Sequence, residues 1–396
     1  MTDATGQSVV SDRLKLLPQT SSDSLMGQLL RKFWQPVTRS QNVQIRKAIP
    51  VRILGETLTV YRGASGKPYL VAGHCPHRRT LLHTGWVVSE TIKCMYHGWQ
   101  FNGAGQCVER PAEDATRNAS VRITSYPLHE YAGLIFVYMG PGDPPEFQLP
   151  RKPHFEAPDT MLFVREETWP CNWFQQVENS LDAVHVSFVH HWGEVGTFGG
   201  AVAPTIPQLE YEETDAGIRQ TATRSANSVR VSNWTFPNNN HIITPGLTLE
   251  DPWVDIGIWM TPLDDEHTTR FVTYAIKSTT PENDKRIRDY FDKFGDYNPA
   301  DHHDDLIKRG ILPDDDVLQL TSAQDYVAAV GQGTIADRLN ERLGQSDRGI
   351  TFLRRLFWRE MELIREGRAT KPWHRLKEAP VLPKQIREDA PAEQQA

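Results

Sequence analysis

Long apolar runs are missing from this 396-residue chain. The best of them, Leu134 to Met139, falls far short of the roughly 20 residues that a spanning helix requires, which excludes a bundle of membrane helices. The opening residues, MTDATGQSVV, lack a basic region followed by an apolar core, so no secretory leader is expected. Positive charge is in short supply. Forty-three Lys and Arg face 50 Asp and Glu, a net −7, which argues against a nucleic-acid surface. Cysteine is scarce as well, and four in this length do not make a disulfide framework. Two of the four stand beside histidines, which points to a bound metal and a reducing cytoplasm. No Gly-x-Gly-x-x-Gly follows a strand pattern, so no dinucleotide or flavin site is expected, and no internal repeat is visible.

What is present, 39% hydrophobic and 23% charged residues, suits a globular chain long enough for two domains. From about Pro50 to Met139, β-rich runs such as Val51 to Tyr61 and Leu134 to Tyr138 alternate with turns at Asn102-Gly103 and Gly140 to Asp143, predicting a small all-β domain. The proline-rich stretch Pro141 to Pro153 can continue neither a helix nor a central strand and reads as a linker. Beyond it the texture is mixed α and β. Asn172 to Trp192, Pro281 to Phe294 and Ile350 to Arg368 read as helices, whereas Leu209 to Val254 and Thr268 to Lys277 read as antiparallel strands. Lys371 to Ala396, with four prolines and many charges, reads as an extended tail.

The densest chemistry lies in HCPHRRTLLHTGWVVSETIKCMYHGWQF, which holds Cys75-x-His77 and, sixteen residues later, Cys94-x-x-His97. Each short loop offers one thiolate and one imidazole. Together they supply the donor set of a Rieske [2Fe-2S] cluster, two cysteines on one iron and two histidines on the other. Zinc is the competing reading, but structural zinc sites pair like with like rather than one of each per loop. His74 and His83 fall off the pattern, Gly98 suits a tight loop, and Cys107 and Cys171 lie outside both loops.

A second constellation sits in NWFQQVENSLDAVHVSFVHHW, which contains Asn179, Asp182, His185 and His190 as D-x₂-H-x₄-H. Two histidines and a carboxylate arranged facially form the site that non-haem Fe(II) oxygenases use. Asp182 and His185 share a helical face at i, i+3. His185 and His190 stand about 140° apart on an ideal helix, so a break or π-type distortion is expected between them. Histidines that merely satisfy the core or the surface are the alternative reading of this spacing. His191 is expected to point elsewhere.

A C-x-H and C-x₂-H β domain followed by D-x₂-H-x₄-H resembles the α (terminal oxygenase) subunit of Rieske non-haem iron aromatic ring-hydroxylating oxygenases, over roughly Leu25 to Arg368. QDYVAAVGQGTIADR (Gln324 to Arg338) and LGQSDRGITFLRR (Leu343 to Arg355) resemble its phthalate-dioxygenase and aromatic O-demethylase branch, which works without a β subunit. The resemblance implies an α+β chain in four parts. These are a helical segment at 1–45 packed on the catalytic domain, an all-β Rieske domain at 46–150, a helix-grip-like antiparallel-sheet catalytic domain with helices at 151–370, and a tail at 371–396. It implies one [2Fe-2S] cluster and one mononuclear Fe(II) per subunit, with Asp347 as the third ligand beside His185 and His190. Asp347 also suits the cap of a helix beginning near Gly349. In the implied head-to-tail homotrimer or stacked hexamer, Asp182 bridges the neighbour's His97 and its own His185, while Asn179 lies near the iron without ligating it.

The implied activity is hydroxylation or O-demethylation of a small, carboxylated aromatic substrate in the cytoplasm. It consumes O₂ and electrons from a separate NAD(P)H-dependent flavin or iron–sulfur reductase, with no nucleic-acid or membrane partner. Arg224 and Arg230 are candidates to grip the carboxylate, and Asn238 to His241 to donate hydrogen bonds to the substrate. A Rieske electron carrier without oxygenase chemistry is the alternative, and the long segment beyond the linker argues against it. One position departs from the family, which often has glycine two residues after the first cluster histidine. Arg79 stands there instead and changes the charge beside the cluster, where an electron donor docks.

Overall fold

The computed structural model describes residues 11–152, 154–190, 205–226, 228–244, 246–248, 251–311 and 317–373. Helix α1 (Leu25–Arg31), capped by the Ser24 hydroxyl, which accepts from Gly27 N, leads into strand β1 (Gln35–Arg39). Eight short strands follow: β2 (Ala48–Ile53), β3 (Glu56–Arg62), β4 (Pro68–Ala72), β5 (Trp86–Val88), β6 (Thr91–Lys93), β7 (Gln100–Asn102), β8 (Cys107–Glu109) and β9 (Ser125–Tyr126). They build two four-stranded antiparallel sheets in the orders β2-β3-β4-β9 and β5-β6-β7-β8. Val51 to Tyr61, expected as one run, is in fact a hairpin. Leu54 and Gly55 adopt φ of +50° and +80°, the left-handed pair that a two-residue turn demands. Its tip docks on the other half of the chain, where Leu54 N and Gly55 N donate to Pro262 O (2.9 Å) and Leu263 O (2.7 Å).

Strands β10 (Leu128–Tyr131) and β11 (Leu134–Val137) join β1 in a third sheet, order β1-β11-β10, so the N-terminal segment supplies a strand as well as a helix. The proline-rich stretch is irregular, as its composition demands, but it is docked rather than free. Leu149 is buried, Trp34 Nε1 donates to Pro145 O (3.0 Å), and buried Lys152 donates to Asn239 Oδ1 (2.9 Å).

The C-terminal half is organised on one seven-stranded antiparallel sheet. Its strands are β12 (Thr160–Trp169), β13 (Gln208–Glu213), β14 (Gly217–Ser225), β15 (Ser228–Thr235), β16 (Asn239–Thr244), β17 (Val254–Pro262) and β18 (Thr268–Lys277), in the order β12-β18-β17-β16-β15-β14-β13. Helices α2 (Trp173–Ser180), α3 (Val186–Val189), α4 (Pro281–Phe294), α5 (Leu320–Val330) and α6 (Arg348–Arg365) accompany it, with two single turns at Pro299–His302 and Leu306–Arg309. Side chains alternate across a strand, and this alternation assigns the two faces. Val254, Ile256, Ile258, Val272, Tyr274 and Ile276 pack in one core with Trp173, Phe174 and Phe357 of the helices. Trp259, Phe271 and Ala275 instead meet Leu134 and Phe136 of the small sheet and Trp34, just ahead of β1. Covered on both sides, β17 and β18 are buried almost throughout, and they bury polar residues such as Asp255, Thr268 and Thr273 along with their apolar ones.

Lys371 to Trp373, expected to begin a tail, are tied to the fold. Trp373 Nε1 donates to Phe236 O (2.6 Å) and Lys371 Nζ to Thr214 O (2.7 Å). The rest of the expected tail lies outside the described residues, as do His191 and Trp192.

Candidate metal centres

The two Cys/His loops of the β domain share one backbone design. Cys75 N donates to Thr80 O (2.8 Å) and Arg79 N to Cys75 O (3.0 Å); in the second loop Cys94 N donates to Trp99 O (2.8 Å) and Gly98 N to Cys94 O (3.0 Å). Closing each loop needs a left-handed residue, and φ is +62° at Arg79 and +72° at Gly98. A side chain at Gly98 would crowd the Pro111 ring, 3.0 Å from its Cβ, whereas the Arg79 side chain runs into solvent.

Both thiols are buried and both imidazoles are exposed, with the His77 and His97 rings 4.5 Å apart. Trp99 stacks on His77 (4.7 Å, 5° between planes), and Tyr96 packs on His97 (3.9 Å). Burial pushes the Cys75 thiol up to about 11, and neighbouring Cys94 adds to the effect. A thiol so placed ionises only against a cation. Two sulfurs on the protein side and two imidazoles on the solvent side therefore fit a cluster held asymmetrically between the loops. All four cysteines are free, and Cys107 shares the apolar cluster that holds Cys75 and Cys94.

The second centre begins where α2 stops. Asn172 caps that helix by accepting from Phe174 N (3.0 Å), and Trp173, Phe174 and Val177 face the core. After Ser180 the chain turns, and Asp182 Oδ1 accepts from Val184 N (2.9 Å) and His185 N (3.3 Å), so the carboxylate closes the turn that leads into a new short helix. The break expected between His185 and His190 therefore lies ahead of His185. The two histidines flank the single turn of α3 as its N-terminal and C-terminal caps.

Both rings converge on Asp325 of α5. Asp325 Oδ1 lies 3.2 Å from His190 Nε2 and 3.6 Å from His185 Nε2, and the three donors fall within 4.8 Å of one another. Bonds of about 2.1 Å to an octahedral ion put adjacent donors about 3 Å apart, so the observed spacing fits one metal. Burial holds the His185 imidazole below its ordinary value, hence neutral and able to ligate. Burial works against ionisation of Asp325, but His190 and then His185 outweigh it and keep the carboxyl well below the usual range. The other nitrogen of His185, Nδ1, is buried without a hydrogen-bond partner and lies 3.8 Å from Asp182 Oδ2.

Two sequence expectations are corrected here. Asp347, taken as the third ligand, stands at the start of α6 with its Oδ2 on Gly344 N (2.6 Å), and Asp325 occupies the place beside the histidines. The one trace of it in the letters is that Asp325 is the single charged residue in LTSAQDYVAAV, and the structure buries it on that helix. His241, taken as a substrate contact, pairs with Gly257 on the small-sheet face. There its Nε2 lies 3.6 Å from Asp255, away from the three donors. Asn240, its neighbour, faces the helices and lies 3.5 Å from Ser180 O. Asn179 lends its carbonyl to Asp182 N (3.1 Å) at the turn.

Arg224 and Arg230 both lie on the helix side. Arg224 donates to Ala183 O and Ser187 Oγ (3.2 Å each), fastening α3. Arg230 is close enough to His185 and Asp325 to interact with both electrostatically, and its Nε is sealed from solvent without a partner. Burial, with Arg224 adding to it, brings its guanidinium down to about 10, still charged at neutral pH.

A cysteine/histidine donor set on a β domain and a histidine/carboxylate set beneath a helix-covered sheet give the chain two candidate metal centres. Comparison with known proteins agrees. Residues 33–127 match the Rieske [2Fe-2S] domain, and residues 137–376 match the LigXa C-terminal domain like family. The chain is 32% identical to the 5,5'-dehydrodivanillate O-demethylase oxygenase subunit of Sphingobium sp. (strain NBRC 103272 / SYK-6), across 87% of this chain and 79% of that one. It is 30% identical to the phthalate 4,5-dioxygenase oxygenase subunit of Pseudomonas putida, across 89% and 86%. The terminal oxygenase of carbazole 1,9a-dioxygenase from Novosphingobium sp. KA1 shares the fold, with TM-score 0.63, 18% identity and coverage of 89% and 97%. A complex of a carbazole 1,9a-dioxygenase oxygenase with ferredoxin is similar to the same degree (TM-score 0.61, 19% identity, 89% and 94%).

The chain belongs to the family of Rieske oxygenase subunits that carry the LigXa-like C-terminal domain. It is the terminal oxygenase component of a Rieske non-haem iron oxidoreductase.

Proposed function

We propose that this oxygenase hydroxylates or O-demethylates a small aromatic acid at a mononuclear iron held by His185, His190 and Asp325. Electrons come from a separate NAD(P)H-dependent reductase. When bound, the cluster carries single electrons and the ferrous ion activates O₂. The protein's own contribution is placement. Asp182, fixed by its bonds to Val184 N and His185 N, orients the His185 ring from behind. Two neutral imidazoles and one carboxylate leave a dication only half neutralised, and Arg230 adds a further positive charge. An anionic substrate suits such a site.

The observation that carries the acid reading is Arg230, a buried-edge guanidinium beside the triad with no partner at Nε. The two relatives named above take their names from dehydrodivanillate and phthalate, both aromatic carboxylates. The test is O₂ uptake, with product analysis, on methoxylated and plain aromatic acids and on their methyl esters, using a generic reductase. Acids should be turned over in preference to esters. Arg230→Met should lower kcat/KM for the acid roughly tenfold to hundredfold while leaving any ester turnover in place. Equal turnover of acid and ester by the parent enzyme would overturn the anionic-substrate reading.

We further propose a cytoplasmic, head-to-tail trimer, alone or stacked as a hexamer. Exposed His97 of one protomer meets the neighbour's partly exposed Asp182. Four free cysteines suit the reducing compartment.

A further inference from the structure

Beside the buried face of α6, which carries Leu353, Leu356 and Phe357, runs a second stripe of Arg348, Thr351, Phe352 and Arg355. Their spacing, i, i+3, i+4 and i+7, puts the four on one side of the helix. Tyr211 of β13 stands against it, and Gly349 makes that approach possible, because a Cβ there would lie 2.4 Å from the Tyr211 ring. Together with Gly344 these residues enclose a surface cavity of about 380 Å³, room for a single-ring molecule. Arg348 and Arg355 are exposed, and neither guanidinium makes an ion pair or a hydrogen bond among the described residues. The adjoining acid, Asp347, holds Gly344 N through its Oδ2 (2.6 Å) instead. On a chain of net −7, two unpaired cations at one cavity mark a place for an anion.

Seven residues at 1.5 Å each separate the two arginines by about 10.5 Å along the axis, with Phe352 between them. A molecule that meets both has a carboxylate at each end and a flat apolar middle for the Phe352 and Tyr211 rings. The cavity is not the metal site, since none of its lining residues is His185, His190, Asp325 or Arg230. One wall nevertheless reaches towards it. The Tyr211 hydroxyl donates to Leu181 O (3.2 Å) and accepts from Gln220 Nε2 (3.2 Å), and Leu181 precedes Asp182, whose carboxylate fixes the turn into His185. We propose that the cavity binds an aromatic dicarboxylate as an effector, separately from the substrate, and that Tyr211 passes its presence to the Asp182 turn. The coupling, though not the binding, rests on reading His185, His190 and Asp325 as the iron ligands.

Terephthalate is the probe, on the full-length, metal-loaded protein carrying Arg230→Met, so that acid binding beside the triad does not mask the second site. Calorimetry should show one terephthalate per chain. Arg348→Met and Arg355→Met, added singly, should each weaken it roughly threefold to tenfold, less so at high salt, and together they should remove it. Benzoate, with one carboxylate, should bind more weakly by a similar factor, and benzyl alcohol should give no heat. Both arginines are exposed, so the thermal midpoint without ligand should stay level and lost affinity cannot be charged to misfolding. Bound terephthalate should slow the loss of ferrous ion to a chelator roughly twofold to fivefold. Tyr211→Phe keeps the ring wall, so it should still bind the probe, but the slowing should vanish.

No heat from the Arg230→Met protein, or heat that survives loss of both Arg348 and Arg355, would overturn the site. Benzoate held as tightly as terephthalate would overturn the two-ended ligand. Ferrous loss that ignores bound terephthalate, or is slowed as much in Tyr211→Phe, would overturn the coupling. A protein that takes up no ferrous ion beyond its cluster would remove the iron reading instead, and the calorimetry would still decide the binding.

Discussion

Asp325 meets both histidines through one oxygen, and no other carboxylate among the described residues joins that group. Removing it leaves two imidazoles to hold the ion, so Asp325→Ala should lower ferrous affinity more than about a hundredfold and spare the visible spectrum of the cluster. Asp347→Ala removes a hydrogen bond to Gly344 N at a helix start and should cost about 1 kcal/mol of stability with metal content unchanged. Iron analysis beside the cluster spectrum checks both. The two Cys/His pairs, which the structure brings side by side, were legible because each sits within one short loop. The carboxylate was not, because it meets His190 across 135 residues and no local pattern spans that distance. His241 and Asn240 show the other limit: alternation separates neighbours onto opposite faces, but the letters alone do not say which face meets the helices.

The two elements that carry the triad are α2–α3 and α5, and a buried ion network holds them in register. Glu178 of α2 accepts from Arg338 (Nη2, 2.8 Å), beyond α5, and from Arg354 Nε (2.7 Å) of α6; Arg354 also pairs with Glu341. Gln175 adds bonds to Ala329 O (2.9 Å) and Gly333 O (3.0 Å). Glu178→Ala strands the almost wholly buried guanidinium of Arg338 and leaves Arg354 with Glu341 alone, which should cost on the order of 3–5 kcal/mol in denaturant unfolding. The variant should also lose mononuclear iron to a chelator faster than the parent. Helix and strand spans on either side of this network were readable from periodicity, and β18 and α4 begin and end where the pattern does. The break after Ser180 was misplaced because i, i+3 spacing suggested one continuous helix, whereas Asp182 spends its carboxylate on closing the next turn.

At the scale of the molecule, the large sheet is the middle of three layers, and its far face holds an unusual charge. Lys152 is fully buried, bonded to Asn239 and lying over the rings of Phe155 (5.9 Å) and Trp259 (5.7 Å), with Asp255 as the nearest counter-charge. Burial lowers its amine from 10.5 to about 8, and Asp255 only partly opposes the shift. The unfolded chain therefore binds more protons than the fold between about pH 8 and 10.5, and there this lysine's contribution to stability rises with pH. Below pH 8 the cost of burying the charge is at its full value, roughly 3 kcal/mol. Relative to Lys152→Met, the parent should gain stability from pH 8 to pH 10, and parallel pH profiles in urea unfolding would refute the assignment. The linker that carries Lys152 looked free in the letters because proline excludes regular structure, not packing.

Assembly makes the sharpest demand on the whole. If one protomer's Cys94 and His97 loop serves the neighbour's Asp182 and His185, the two centres that cooperate belong to different chains. A ring built only from Cys94→Ser protomers, or only from His185→Ala protomers, should be inactive for want of one centre. Rings mixed from both kinds should recover activity, because a His185→Ala protomer still offers its intact loop to a Cys94→Ser neighbour whose triad is whole. Random mixing makes one ordered neighbour pair in four productive, so roughly a quarter of parental turnover is expected from equal parts. The loop variant is checked first by the thermal midpoint and by ferrous binding at the triad, which should match the parent. If the mixed rings stay as inactive as either parent ring, the head-to-tail contact between His97 and Asp182 is not the one the enzyme uses, since a route within a single chain cannot be complemented from outside.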